Sequence, residues 1–291
     1  MLQLDFVSKS GQALPLVGNS YFDLVNVDGM TAAATDISSI VIGGVDGDTI
    51  NNIQAQPRGI VFDLRIKDYL NVEEAKRYIL SFVKLKQQCS LLWTQNARTL
   101  KIEAVVEAVT MPRFNAGVTM QIALHCPRAF WEDLTEIITQ ISEAKNLHYF
   151  TTTAGDMLYF PVDGIPLGEY DTSRTQRFVN SGDVAVGMTI EIRAYKTVTN
   201  PIIYDQNGNF FGVGYGTGDK QVVMNSWEKI VITTQAGNKN VMLNGQSIID
   251  KIKPRSTWLK LEAGVNEFSI NSDDDDVDNM TFSLIYKQRY I

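Results

Sequence analysis

Trp227-Glu-Lys-Ile-Val-Ile-Thr-Thr-Gln-Ala-Gly-Asn-Lys-Asn-Val-Met-Leu-Asn-Gly245 is the stretch that decides the fold. Residues 230–234 are β-branched throughout, a turn cluster fills 236–240, and Val241-Met-Leu243 runs into Asn244-Gly245. β-Branched side chains fit a pleated, half-buried surface, and Asn-Gly supplies the two left-handed dihedrals that a tight hairpin needs. Similar turn signals recur at Asn180-Ser-Gly-Asp183, 205–209 and 214–219. Short β-rich runs separated by turns roughly every ten residues predict an all-β sandwich for the C-terminal part.

Upstream, the pattern is mixed. Tyr21-Phe-Asp-Leu-Val-Asn-Val27 alternates and meets Asp28-Gly29, a hairpin-favouring dipeptide, and 37–42 reads as another strand before Gly43-Gly44. Gly59-Ile-Val-Phe-Asp-Leu-Arg-Ile66 follows as a strand. The period then changes: Asn71 offers an N-cap with Glu74 at N3, and Ala75, Tyr78, Ile79, Phe82 and Val83 recur at spacings of three and four. That spacing predicts one amphipathic helix over about 72–88. Residues 93–98 read as a turn, 100–110 as a strand and 117–126 as another, with Val118, Met120, Ile122, Leu124 and Cys126 on one face. Pro127 ends that strand, because proline cannot continue a central ladder. Leu134, Ile137, Ile138, Ile141 and Leu147 then trace a helix over 133–150. The expected organisation is therefore an α+β N-terminal domain (1–132), a linker helix (133–150) and a C-terminal sandwich (151–291), a mainly β chain.

Composition excludes several classes. The net charge of −7 supplies no basic stripe for gripping nucleic acid. No apolar run approaches the roughly 18 residues of a membrane span, and Met1-Leu-Gln-Leu-Asp5 lacks the basic-then-apolar order of a signal peptide. Cys89 and Cys126 are too few and too far apart for a disulfide framework, and read as buried small hydrophobes. The two histidines, His125 and His148, have no partner at metal-ligand spacing; His125 falls on the face of its strand opposite Cys126. Gly212-Val-Gly214-Tyr-Gly216 is turn chemistry, since no helix follows it to hold a phosphate. No catalytic, cofactor-binding or metal residue is assigned.

Two local features have a functional and a plain reading. The run Asp273-Asp-Asp-Asp276, with Asp278, has the oxygens for a hard cation, but a calcium loop spaces its ligands and turns on a glycine, so a solvated loop is the better reading. Trp227 and Trp258 could form a sugar-stacking platform. Both precede alternating strand residues, which favours the core.

Several motifs carry a family resemblance by their order. Asn26-Val-Asp28-Gly29, Pro127 with Phe130-Trp131, Phe178-Val-Asn-Ser-Gly182, Trp227, Lys239-Asn-Val-Met-Leu-Asn-Gly245, and Trp258, Leu261, Gly264 and Asn266 follow one another as in the distal tail proteins of siphophages and their prophage relatives. Arg128-Ala129 departs from the Asp-Pro found in many of those relatives. The resemblance implies a ring-forming N-terminal domain and a galectin-like C-terminal β-sandwich. It implies a virion structural protein of the tail tip, a hexameric homo-oligomer seated between the tail tube protein and the tail-tip (tail-associated lysin-type) protein. Receptor-binding or upper baseplate proteins would dock on it, with DNA only passing through the channel and no membrane contact. Several copies of a chain at −7 would give that channel a wall that repels phosphate. The alternative is a lectin-like adsorption module, against which no histidine lies beyond His148 for a galectin-type sugar site.

Overall fold

The computed structural model describes residues 3–44, 46–67, 71–96, 98–111, 118–140, 144–145, 169–170, 175–273 and 277–291. They fall into two units, Met1–Thr135 with Arg289–Ile291, and Glu136–Gln288.

The first unit contains β1 (Gln3–Ser8), β2 (Ala13–Pro15), β3 (Phe22–Asp28), β4 (Thr35–Ile40), β5 (Thr49–Ala55), β6 (Arg58–Ile66), α1 (Val72–Phe82), β7 (Gln88–Gln95), β8 (Arg98–Thr110), β9 (Thr119–Cys126) and β10 (Trp131–Asp133). Its main sheet runs β2-β1-β7-β8-β9-β6-β3, antiparallel throughout. Period-two alternation sets the register. Ile60, Phe62 and Leu64 of β6 sit opposite Leu124, Ile122 and Met120 of β9, and all six are buried. Each such side chain contributes roughly 1.5–3 kcal/mol by leaving water. A one-residue slip would turn the whole set outward. Ala75 and Ile79 of α1 join this core, and Tyr78 stacks on Tyr21 at 4.4 Å.

The helix ends at Phe82, short of the expected 88. Val83 is extended, a turn follows, and Gln88 already opens β7. Asn71 holds the cap position, but its side chain makes no capping hydrogen bond. Trp93, expected in a turn, lies on β7 and meets Trp131 edge-to-face at 5.7 Å. Asp28-Gly29 does not close a hairpin: the chain leaves the sheet there and re-enters at β6, where Asp28 pairs with Val61. The excursion forms a separate two-stranded ribbon, β4 with β5.

The second unit contains β11 (Ile137–Gln140), β12 (Ala144–Lys145), β13 (Glu169–Tyr170), β14 (Thr175–Asn180), β15 (Thr189–Ala194), β16 (Val198–Thr199), β17 (Ile202–Asp205), β18 (Phe210–Gly212), β19 (Val223–Met224), β20 (Lys229–Thr233), β21 (Asn240–Leu243), β22 (Gln246–Ser247), β23 (Gly264–Asn271) and β24 (Met280–Tyr286). A final strand, β25 (Arg289–Tyr290), belongs to the first unit and pairs with β10. One sheet of the second unit is ordered β11-β24-β15-β20-β21-β22 and another β14-β23-β17-β18. Both feed one core: Phe178 of β14 touches Phe268 of β23 at 5.8 Å and Phe282 of β24 at 5.9 Å. This is a sandwich, and the chain is mainly β. Asn244 and Gly245 both have positive φ, 50° and 85°, between β21 and β22, as the Asn-Gly dipeptide predicts.

The helix expected over 133–150 is corrected by Ile137–Gln140, which is a strand paired with β24 from Ile137↔Tyr286 to Gln140↔Ser283. Ile137 packs on the core while Ile138 is exposed, an alternation of two rather than a helical stripe. Ile141, Leu147 and His148 lie outside the described residues, as do Asp274, Asp275 and Asp276.

Candidate functional site

The residues singled out by the sequence gather into separate clusters. In the first unit, Gly29 has φ +81°, and a Cβ there would collide with the carbonyl oxygen of Gly59. Only glycine lets the chain leave β3 so close to β6. Arg58, buried beside it, donates Nη1 to the carbonyl of Met30 at 3.0 Å and to that of Gly29 at 3.4 Å. Trp131, fully buried, donates Nε1 to the same Met30 carbonyl at 3.3 Å. The guanidinium Nε and Nη2 are buried with no hydrogen-bond partner among the described residues, and desolvation holds the Arg58 pKa below its ordinary value. Asp28 and Pro127 are exposed and Phe130 is half-buried. The sequence did not single out Arg58; a basic residue at the first, inward position of an apolar alternating strand is the signal that marks it.

In the second unit, two buried asparagines clamp one end of the sandwich. Asn180 donates to the carbonyls of Val184 and Leu261 at 3.0 and 3.2 Å and accepts from the Gly182 amide at 3.0 Å. Asn266 donates to the carbonyls of Glu262 and Gly264 at 2.8 and 3.0 Å and accepts from the Glu262 amide at 2.8 Å. Asn180 faces Gly264 across β14 and β23. Gly182, Leu261, Gly264 and Asn266 thus meet in one place, fixing backbone that strands leave unpaired. Trp258 is half-buried against Phe211 at 4.7 Å.

Trp227 corrects the core reading. It is 71% exposed, and its φ is 71°. It shares a corner with Gly245, because Glu228 accepts from the Asn225 amide at 2.8 Å and from Asn244 Nδ2 at 3.0 Å.

Cys89 and Cys126 are buried free thiols, pushed up by desolvation to about 12 and about 11. Thiolates are the reactive form, so both are inert at neutral pH. His125 is exposed on β9, facing away from Cys126. Asp273 is held by Asn200 at 2.6 Å and by Lys253 at 3.5 Å. Among the described residues no cluster of three His, Cys, Asp or Glu side chains is placed for a metal ion, and no helix is long and apolar enough to cross a membrane.

A feature read only in part from the sequence, as a strand over 37–42, is the β4–β5 ribbon, exposed along both strands. Ile37 faces Ile53, and Ser39 faces Ile50 after a bulge, so Ile37, Ile50 and Ile53 share one side. All three are more than half exposed, at 57, 53 and 59%. An isolated two-stranded ribbon is marginal in water, and an exposed apolar strip of this kind marks a contact surface.

Comparison with known proteins gives the following. Residues 181–290 match the model of the siphovirus-type tail component, C-terminal domain. The fold is similar to the crystal structure of the Dit protein of phage SPP1, described as a paradigm of the hub adsorption apparatus in phages that infect Gram-positive bacteria. The two share 14% identity over 99% of each chain, with a TM-score of 0.66. A more distant likeness, with a TM-score of 0.43 and 13% identity over 99% of this chain and 98% of the other, is to the phage P2 baseplate in its activated conformation with calcium. A search of curated protein sequences finds no match.

Proposed function

We propose that the chain is a distal tail hub protein that closes into a hexameric ring joining the tail tube to the tail-tip and receptor-binding components, a reading supported by the match of residues 181–290 to the siphovirus-type tail component, C-terminal domain, and by the fold shared with the Dit protein of phage SPP1. The observation that carries this reading is the family match over residues 181–290. The β4–β5 ribbon supports it. A ring needs head-to-tail contacts between different surfaces of identical subunits, and an exposed apolar ribbon on one subunit suits such a contact. The role is one of assembly, with no bond made or broken.

The direct test of the joining role is co-purification of the tagged chain with its cognate tube protein and tail-tip protein. Capture of both, with rings seen at tube ends in negative stain, is the expected result. Capture of neither contradicts the reading.

A further inference from the structure

We propose that Trp227, braced edge-on by Tyr195, forms a saccharide-binding platform at one end of the six-stranded sheet, taking a pyranose whose equatorial hydroxyls leave a flat C–H face.

The sequence spends conformational strain to expose this indole. Trp227 stands at φ 71°, a region that disfavours any residue with a Cβ. Strain of this kind persists only where the surroundings over-determine it, and here they do. The Trp227 amide donates to the Ala194 carbonyl at 2.8 Å, and Ser226 Oγ donates to the Tyr195 carbonyl at 2.6 Å. The Glu228 carboxylate ties the turn to the neighbouring hairpin by accepting from Asn225 and from Asn244. The Tyr195 ring meets the indole edge-on, 5.7 Å between centroids at 90°. Its hydroxyl is in hydrogen-bond contact with Thr281 at 3.2 Å, which fixes the ring. The result is a large, rigid aromatic face held in water.

Size and surroundings favour a sugar over a protein. A stable protein interface covers upwards of about 1,000 Å² and has an apolar centre. Around Trp227 the exposed neighbours Asn225, Ser226, Asn244 and Lys196 are polar. One indole rimmed by amides and hydroxyls matches one pyranose: the C–H face stacks on the ring, and the hydroxyls find donors and acceptors at the edge. The corner lies at the strand ends, where β15 finishes and β20 begins, and uses no histidine. This inference does not rest on ring formation. A chain that stays monomeric and still binds sugar would defeat the ring and leave the platform standing.

The test uses the full chain with chitotetraose and maltotetraose as probes, read by saturation-transfer NMR and by titration. The expected result is saturable binding of at least one probe, with transfer strongest to ring C–H protons. Trp227→Gly should weaken that binding by about tenfold or more. It removes the indole and relieves the left-handed strain, so its thermal midpoint should be unchanged or higher. Trp258→Phe, altering the half-buried tryptophan elsewhere, should leave binding intact. No saturable signal from either probe would overturn the proposal, as would equal binding by Trp227→Gly. So would a Trp227→Gly defect confined to capture of other tail proteins, which would make the corner a protein contact.

Discussion

Asn200 donates its side-chain amide to the Asp273 carboxylate at 2.6 Å, from a buried position with φ 50°. The same side chain donates to the Gly216 carbonyl at 3.2 Å and accepts from the Val222 amide at 2.9 Å. One asparagine therefore ties the 214–222 loop to the start of the acidic run. Asp273 is thus engaged in the fold.

Asn200→Ala should lower unfolding free energy by about 2–3 kcal/mol, because it leaves a buried amide and a carboxylate without their partner. Chemical denaturation measures this. A loss below about 0.5 kcal/mol would show that the loop does not depend on the contact.

Two neighbouring glycines should behave oppositely. Gly29→Ala forces a Cβ into the Gly59 carbonyl at a positive φ and should cost about 2–4 kcal/mol. Gly59→Ala meets open space on a strand and should change stability by less than about 0.5 kcal/mol. Equal losses would mean that the exit from β3 is not sterically set.

Much of the fold was legible because it rests on local period. The inward faces of β6 and β9 and the Asn244-Gly245 turn follow from alternation and turn chemistry. Ile137–Gln140 misled because isoleucines three and four apart satisfy a helix, whereas pairing with β24 offers a full ladder to residues that are β-branched. Trp227 was not recoverable from parity, because it precedes β20 at a φ of 71°, where the two-residue period does not run. β5 stayed hidden because its bulge at residue 51 breaks the two-residue period between Ile50 and Ile53. Tertiary clusters such as Arg58 with Met30 join residues 28 positions apart, which no local pattern reports.

Burial of Cys89 and Cys126 sets a direction for alkaline stability. Their folded pKa values, about 12 and about 11, lie above the ordinary 9.0, so folding favours the protonated thiols. That contribution is fully present below pH 9 and is lost as pH rises through 11 to 12. Stability measured from pH 8 upward should fall across that window, and the fall should be shallower in a Cys89→Ala/Cys126→Ala variant. At pH 7.5 the native thiols should resist iodoacetamide and react only on unfolding. Rapid labelling of the folded chain would contradict their burial.

The β4–β5 ribbon separates assembly from folding. Ile37→Ser with Ile53→Ser alters side chains exposed on the single chain, so its unfolding free energy should change by no more than about 1 kcal/mol. Self-association should weaken at least about tenfold, measured by sedimentation velocity. Unchanged association would move the contact elsewhere.

Native mass spectrometry of the purified chain at micromolar concentration tests the hub account most directly. The account predicts a closed particle at six times the 32.5 kDa of one chain, seen as a ring with a central channel in negative stain. A single species at 32.5 kDa that persists as concentration rises, with no rings, would contradict it.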